Sequence, residues 1–175
     1  MSTLILGVGN LLLKDEGVGI HVIHALEKEN LPSGIHLMDG GTGGFHLIGQ
    51  LQEYKRIIMI DATLDNNPPG TVRVIHPKYA SDFPPLMSAH EIGLRDMIEA
   101  MTLTGGLPEI ELIVVSVVDV GEIGMELTPE VAAAIPEVVG MVKEIPLGFF
   151  PQSSSTPPAH ALSAIQSRKL SQAIP

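Results

Sequence analysis

The sequence of 175 residues contains no cysteine and no tryptophan, and only 3% of its residues are aromatic. The absence of cysteine excludes disulfide bonds and any site built on a thiolate. Basic residues are also scarce, with 10 Lys and Arg against 20 Asp and Glu, which gives a formal net charge of −10. Phosphate backbones and anionic lipids repel such a chain, so we predict that neither nucleic acid nor a membrane surface is its partner.

Long apolar runs and targeting signals are missing as well. The chain opens with Met1-Ser-Thr, without the basic region of a signal peptide, and no uninterrupted apolar stretch approaches the length of a membrane span. We therefore predict a cytoplasmic protein. A chain of this length is also expected to form one domain with a sizeable core.

Short apolar runs alternate with amphipathic segments along most of the chain, which predicts an α/β fold. The fold class is three-layer α/β/α with a mainly parallel, about five-stranded twisted sheet. Residues 1–145 are expected to form this single domain, and 146–175, rich in Ser and Pro, a flexible or extraneous tail. The predicted strands are Leu4–Val8, Ile35–Met38, Arg56–Ile60, an edge strand Thr71–His76, and Ile110–Val118; the predicted helices start near Asp15, Phe45, Ser88 and Thr128.

The turn after the first strand carries glycines at positions 7 and 9. Such a pair permits unusual backbone conformations, or lets a ligand approach the backbone closely. It also imitates a dinucleotide-binding fingerprint. The third glycine of that fingerprint is replaced by Leu12, however, and two carboxylates follow, with Asp15 as a candidate N-cap and Glu16 in the first helical turn. Carboxylates at a helix start repel a pyrophosphate, so nucleotide binding is disfavoured.

Polar residues collect where the predicted parallel strands end, and in such sheets ligands bind beyond the carboxyl ends of the strands. Glu16, Asp61 and His90 lie on separate loops there. Alone, each has an ordinary explanation, as a first-turn acid, a capping residue or an exposed histidine. Together, two carboxylates and one imidazole form a small open site suited to nickel, zinc or iron. No His-Glu-x-x-His pattern or nucleophile elbow is present, so neither an ordinary zinc peptidase nor a serine hydrolase is indicated.

Five short motifs occur in one order between Thr3 and Lys143, and with this spacing they are specific. Over this range the sequence strongly resembles the hydrogenase maturation endopeptidases, which process the large subunit of nickel-iron hydrogenases. The motifs are Gly7-Val-Gly-Asn10, Asp15-Glu-Gly-Val-Gly19, Asp39-Gly-Gly-Thr-Gly43, Ile60-Asp-Ala62 and Ser88-Ala-His-Glu-Ile-Gly-Leu94.

The resemblance implies a metal-dependent, aspartic-type endopeptidase that removes the C-terminal extension of a large-subunit precursor after nickel insertion. It implies metal contacts at Glu16, Asp61 and His90, which would also be the catalytic residues. The precursor would supply the nickel, although zinc or cadmium would also suit the site in vitro. Recognition of the precursor is implied for the segment formed by Asp39, Gly40, Gly41 and Thr42, and we expect a monomer. A nickel-checking protein that docks on the precursor without cutting it is the alternative.

Overall fold

The structure is a computed structural model that describes residues 2–42, 44–77 and 91–144. It contains five strands, β1 to β5, at Thr3–Gly7, Ile35–Asp39, Arg56–Thr63, Val72–Ile75 and Glu109–Ser116. The α-helices α1 to α5 span Val18–Leu26, Ile48–Leu51, Glu91–Leu103, Pro129–Ala132 and Ile135–Lys143. Two 3-10 helices, Lys14–Gly17 and Phe45–Leu47, lead directly into α1 and α2.

The strands form one sheet in the order β2-β1-β3-β5-β4. Strands β2, β1, β3 and β5 are parallel, whereas β4 pairs antiparallel with β5 at the edge. The predicted mainly parallel, five-stranded sheet is therefore confirmed, and so is the edge position of the fourth strand. The burial of the strands agrees with this strand order, because the inner strands β1 and β3 are buried along their whole length while the edge strand β4 is only half-buried.

Helices cover both faces of the sheet. Alternate residues of β1, starting with Leu4 and Leu6, join the buried side chains of α2 and α3 in one core cluster. Helix α1 packs against β1 and β3, and α5 packs against α1. Each helix contributes its apolar stripe to this packing, which stabilises a three-layer arrangement. The fully buried helical residues include Val22, Ile23, Leu26, Met97, Met101 and Val138.

Most predicted strand boundaries differ from the structure by one or two residues, and three elements differ further. Strand β3 continues past Ile60 to Thr63, because β5 offers apolar pairing partners as far as Ser116. The second predicted helix is reduced to two short helices, and Phe45 is exposed rather than packed. The last predicted helix is divided into α4 and α5, with Pro136 in the first turn of α5, where no amide donor is required.

Several predictions fall outside the described residues. The predicted helix start near Ser88, the candidate ligand His90 and the tail 146–175 are among them. The division into a domain and a tail stays a prediction for the same reason. Within the described ranges, none of the helices has both the length and the apolarity that a membrane crossing requires.

Candidate active site

Glu16 and Asp61 are buried together at the carboxyl edge of the sheet. Glu16 lies in the 3-10 helix after β1 and is 0% exposed, while Asp61 lies within β3 and is 1% exposed. Asp61 follows Ile60, which is paired with Gly7 at the end of β1. Glu16 is near enough for its charge to contribute to raising the pKa of Asp61. The structure thus brings two of the three predicted ligands together, with Asp61 inside a strand rather than in a loop after it.

Burial raises the pKa of Asp61 well above its usual range. The Ala62 amide, which donates to Asp61 Oδ1 at 2.8 Å, opposes this rise in pKa, and the neighbouring Glu16 charge adds to it. A buried carboxylate near a second one is costly unless a proton or a cation compensates the charge. The pair is therefore a suitable place for a positively charged group.

The glycines of the motifs serve close packing of the chain on itself. A Cβ atom on Gly19 would lie 2.3 Å from the Ile60 carbonyl oxygen and 2.4 Å from that of Val8. Gly9, with φ of +142°, leaves even less room, because its Cβ would lie 2.0 Å from the Glu16 carbonyl oxygen. Of the two roles that the sequence left open, the structure shows the conformational and packing one. The glycines hold the turn with Glu16 directly against the strand ends.

The prediction that Asp15 is the N-cap of its own helix is wrong, because its side chain contacts a distant segment instead. Its carboxylate accepts hydrogen bonds from the Thr128 backbone amide at 2.7 Å and from the Thr128 hydroxyl at 2.8 Å. Leu13 occupies the N-cap position of the 3-10 helix instead, without a side-chain hydrogen bond. Asp15 thus fastens the turn that carries Glu16 to the start of α4.

The predicted recognition segment lies beside the same glycine turn. The Gly40 amide donates to the Gly7 carbonyl, and the Gly9 amide donates to the Gly41 carbonyl, both at 2.8 Å. The Asp39 carboxylate accepts from the Gly41 amide at 2.8 Å, and Gly41 has a left-handed φ of +52°. Asp39 and Thr42 are exposed, whereas Gly40 is buried. The segment therefore forms an accessible rim next to the turn that leads to Glu16.

His90 lies outside the described residues, so the predicted triad stays a prediction. Helix α3 begins one residue later, at Glu91, and spans thirteen residues, or about 20 Å. The end of α3 adjoins the end of α2, where Gln52 Nε2 donates to Thr104 Oγ1 at 3.5 Å. From this end of α3 the chain continues to the start of β5. The helix consequently begins toward the edge that carries Asp61. In the ranges that the structure describes, no three metal-binding side chains form a group.

Two of the ionic contacts that sequence reasoning missed involve residues of the sheet. Asp65, in the loop after β3, pairs with Arg73 of β4 and accepts a hydrogen bond from the Ser116 hydroxyl at 3.1 Å. Partial burial raises the pKa of Asp65, but hydrogen bonds from Asn67 and Ser116 and the charge of Arg73 lower it overall. This contact fastens the loop that follows Asp61. No local pattern reveals the hydrogen bond between Ser116 and Asp65, since the two residues are 51 positions apart.

The second missed contact is a buried ion pair at the opposite, amino edge of the sheet. Arg56, at the start of β3, donates from Nη2 to Glu111 Oε1 of β5 at 2.9 Å. Glu111 is 2% exposed. Because both residues lie near the beginnings of their strands, this pair belongs to the core and not to the candidate active site.

Comparisons with known proteins point to one group. A family model described as hydrogenase maturation protease matches residues 20–145, a range that includes Asp61 and begins four residues after Glu16. The Hydrogenase 2 maturation protease of Escherichia coli (strain K12) is 32% identical over 161 residues, covering 88% of this chain and 98% of that protein.

Solved structures agree with the sequence matches. The hydrogenase maturating endopeptidase HybD from E. coli is 36% identical with a TM-score of 0.71, over 81% of this chain and 90% of that one. The [NiFe] hydrogenase maturation protease HybD from Thermococcus kodakarensis is 31% identical with a TM-score of 0.67, over 81% of this chain and 96% of that one. The sheet and the helices on its two faces are therefore shared with proteins of this group.

Proposed function

Because the chain belongs to the hydrogenase maturation protease family, we propose that it is an endopeptidase that removes the C-terminal extension of a nickel-iron hydrogenase large-subunit precursor. The buried pair of Glu16 and Asp61 at the carboxyl edge of the sheet carries this proposal. Ligands of such sheets bind at this edge. The Asp39–Thr42 rim lies beside the glycine turn that leads to Glu16 and would contact the extended peptide.

The donor chemistry of the pair fits a divalent metal. Carboxylate oxygens, with an imidazole added, suit nickel or zinc, and a cation would offset the cost of burying charge, which is the main cause of the raised pKa of Asp61. Glu16 and Asp61, together with His90, would hold nickel that arrives as part of the precursor. A divalent metal bound there supplies Lewis-acid polarisation of the scissile carbonyl or an activated water.

Recognition and cleavage are coupled in this proposal. Glu16 and Asp61 offer oxygen donors only, and no thiolate exists in the chain to bind nickel tightly. The isolated protein would therefore hold nickel weakly, and a precursor without nickel would lack the contact that docks it. Selectivity for the finished precursor follows from the metal and needs no pocket that reads a long sequence.

The test is cleavage of purified precursor, with and without nickel, followed by the mass of the large subunit. We expect the full chain to shorten only the nickel-loaded precursor, and Glu16→Gln to reduce the rate by about 100-fold or more because it removes an anionic donor. Glu29→Gln is the matched control, because Glu29 is exposed and pairs with Lys143 of α5.

Two outcomes would contradict the proposal. Equal cleavage of nickel-free precursor by chelator-treated protein would show that nickel is not recognised and that the carboxylates act without metal. A stable complex with nickel-loaded precursor, without any loss of mass, would instead support a binding protein that checks for nickel.

A further inference from the structure

Exposed apolar side chains are concentrated at the edge that carries the candidate active site. Among the described residues, seven large apolar side chains are exposed, and five of them lie in or directly after the segments that follow the carboxyl ends of parallel strands. The other two, Leu103 and Leu107, lie between α3 and the start of β5 at the opposite edge. The five are Leu12, Phe45, Val118, Ile123 and Met125.

Three of these side chains form what we call the apolar ledge, defined as Leu12, Ile123 and Met125. They are 60%, 84% and 62% exposed. The two chain segments are joined by a parallel bridge between Leu13 and Gly124. In this bridge the Gly124 amide donates to the Leu12 carbonyl at 2.9 Å, so Leu12 lies opposite Ile123.

The ledge is held in place by contacts on both sides of the bridge. The Lys14 amide donates to the Gly124 carbonyl at 2.8 Å, and the Lys14 ammonium pairs with Glu122. On the far side, Thr128 is bonded twice to Asp15. An apolar surface that is both exposed and fixed by its backbone is typical of a binding surface.

The ledge is also continuous with the turn that carries Glu16. The Glu16 amide donates to the Leu13 carbonyl at 3.1 Å, within the same short turn as Leu12. A peptide bond held at Glu16 would therefore have neighbouring residues within reach of the ledge.

The charge around the ledge selects the kind of occupant. Asp119, Glu122 and Glu126 are exposed on the loop of Ile123 and Met125, and Glu122 is paired with Lys14. The whole chain carries a net charge of −10. A segment that combines apolar side chains with Lys or Arg complements this surface, whereas a second copy of the chain brings the same negative charge.

We propose that the apolar ledge binds the segment of the large-subunit precursor next to the scissile bond, through its apolar side chains and adjacent Lys or Arg residues. This inference rests on the proposed function. It assigns substrate binding to Leu12, Ile123 and Met125, in addition to the Asp39–Thr42 rim.

The experiment compares Ile123→Ser with Leu103→Ser in the full chain. The side chain of Ile123 is 84% exposed and that of Leu103 is 88% exposed, so neither change opens a cavity. The probe is the nickel-loaded large-subunit precursor from the same organism, with its dissociation constant measured by calorimetry and its cleavage by mass. We expect Ile123→Ser to weaken binding and raise KM by about tenfold with kcat within twofold, and Leu103→Ser to leave all three unchanged.

Unchanged binding by Ile123→Ser, or an equal loss in both variants, would overturn the inference. A wild-type dimer in sedimentation that Ile123→Ser dissociates, with precursor affinity retained, would also overturn it by assigning the ledge to self-association. If the wild-type protein binds the precursor but does not cut it, the proposed peptidase function fails, yet the difference in dissociation constants still decides on the ledge.

Discussion

Replacing Gly19 by alanine tests whether glycine packing positions the turn that carries Glu16. Gly19 lies in the first turn of α1, three residues after Glu16, where the helix contacts the ends of β1 and β3. The added Cβ would meet the carbonyl oxygens of Ile60 and Val8 at 2.3 and 2.4 Å. Both neighbours are buried backbone atoms, one within β3 and one directly after β1, which cannot rotate away as a side chain would.

The size of the effect follows from these distances. Real Cβ atoms essentially never come closer than 3.0 Å to such neighbours, so the start of α1 must move by at least about 0.7 Å. Overpacking of this kind costs roughly 1–3 kcal/mol, and the better helix propensity of alanine returns up to about 1 kcal/mol. We expect Gly19→Ala to lower the free energy of unfolding by about 2 kcal/mol, or the Tm by roughly 4–8 °C.

Gly140→Ala is the matched control, because Gly140 lies inside α5 with no atom within 4 Å of the added Cβ. It should raise the free energy of unfolding by about 0.5–1 kcal/mol. Urea unfolding gives both values, and cleavage per folded molecule should fall only in Gly19→Ala, because its helix shift displaces Glu16. Wild-type stability and full activity in Gly19→Ala would refute the packing argument.

Two further changes test separate parts of the molecule. Gly41→Ala should weaken precursor binding while the fold survives, because it strains a left-handed residue in open space by about 1 kcal/mol. Gly105→Ala is the control, since it introduces the same strain at the end of α3. Equal precursor affinity in the two variants would make the Asp39–Thr42 rim an ordinary turn. Glu111→Leu should lower the free energy of unfolding by roughly 3–5 kcal/mol in urea, since it removes the buried carboxylate facing Arg56, with activity per folded molecule unchanged. A stable variant would contradict this role of the ion pair.

The sheet was predictable because its central strands must be buried on both faces. Continuous apolar runs at β1, β3 and β5 meet that demand directly, and the alternation within β4 indicated an edge. Boundaries were less predictable, since they depend on partners that lie far away in sequence. Asp61 would be a poor strand residue by itself, yet pairing with Val114 keeps it in β3.

The candidate site was predictable to the same extent and for a related reason. Parallel topology brings the residues after β1 and within the end of β3 to one edge, so Glu16 and Asp61 were expected to meet. The hydrogen bonds of Asp15 could not be predicted, because Thr128 is 113 residues away and each of the two residues fits a capping role locally. The apolar ledge was equally hidden, since the bridge between Leu13 and Gly124 has no signal in either segment.

A final prediction concerns His21, a half-buried residue of α1 that contacts the loop of the apolar ledge. Desolvation lowers the pKa of His21 below its ordinary value of 6.5; a hydrogen bond with the Met125 backbone opposes this change in pKa, and the charge of His24 adds to it. The folded chain therefore holds this imidazole neutral more strongly than the unfolded chain does.

The sign of the pH dependence follows from that difference. A histidine with a depressed pKa stabilises the fold above the unfolded pKa, and this contribution is lost as the pH falls through the folded pKa. Between about pH 7.5 and about pH 5.5, wild-type protein should thus lose more stability in urea than His21→Gln, which keeps a donor but cannot become charged. In an NMR titration, His21 should titrate below 6.5. Titration at or above that value, or equal losses in both proteins, would show that protonation of His21 is not disfavoured by its contact with the ledge loop.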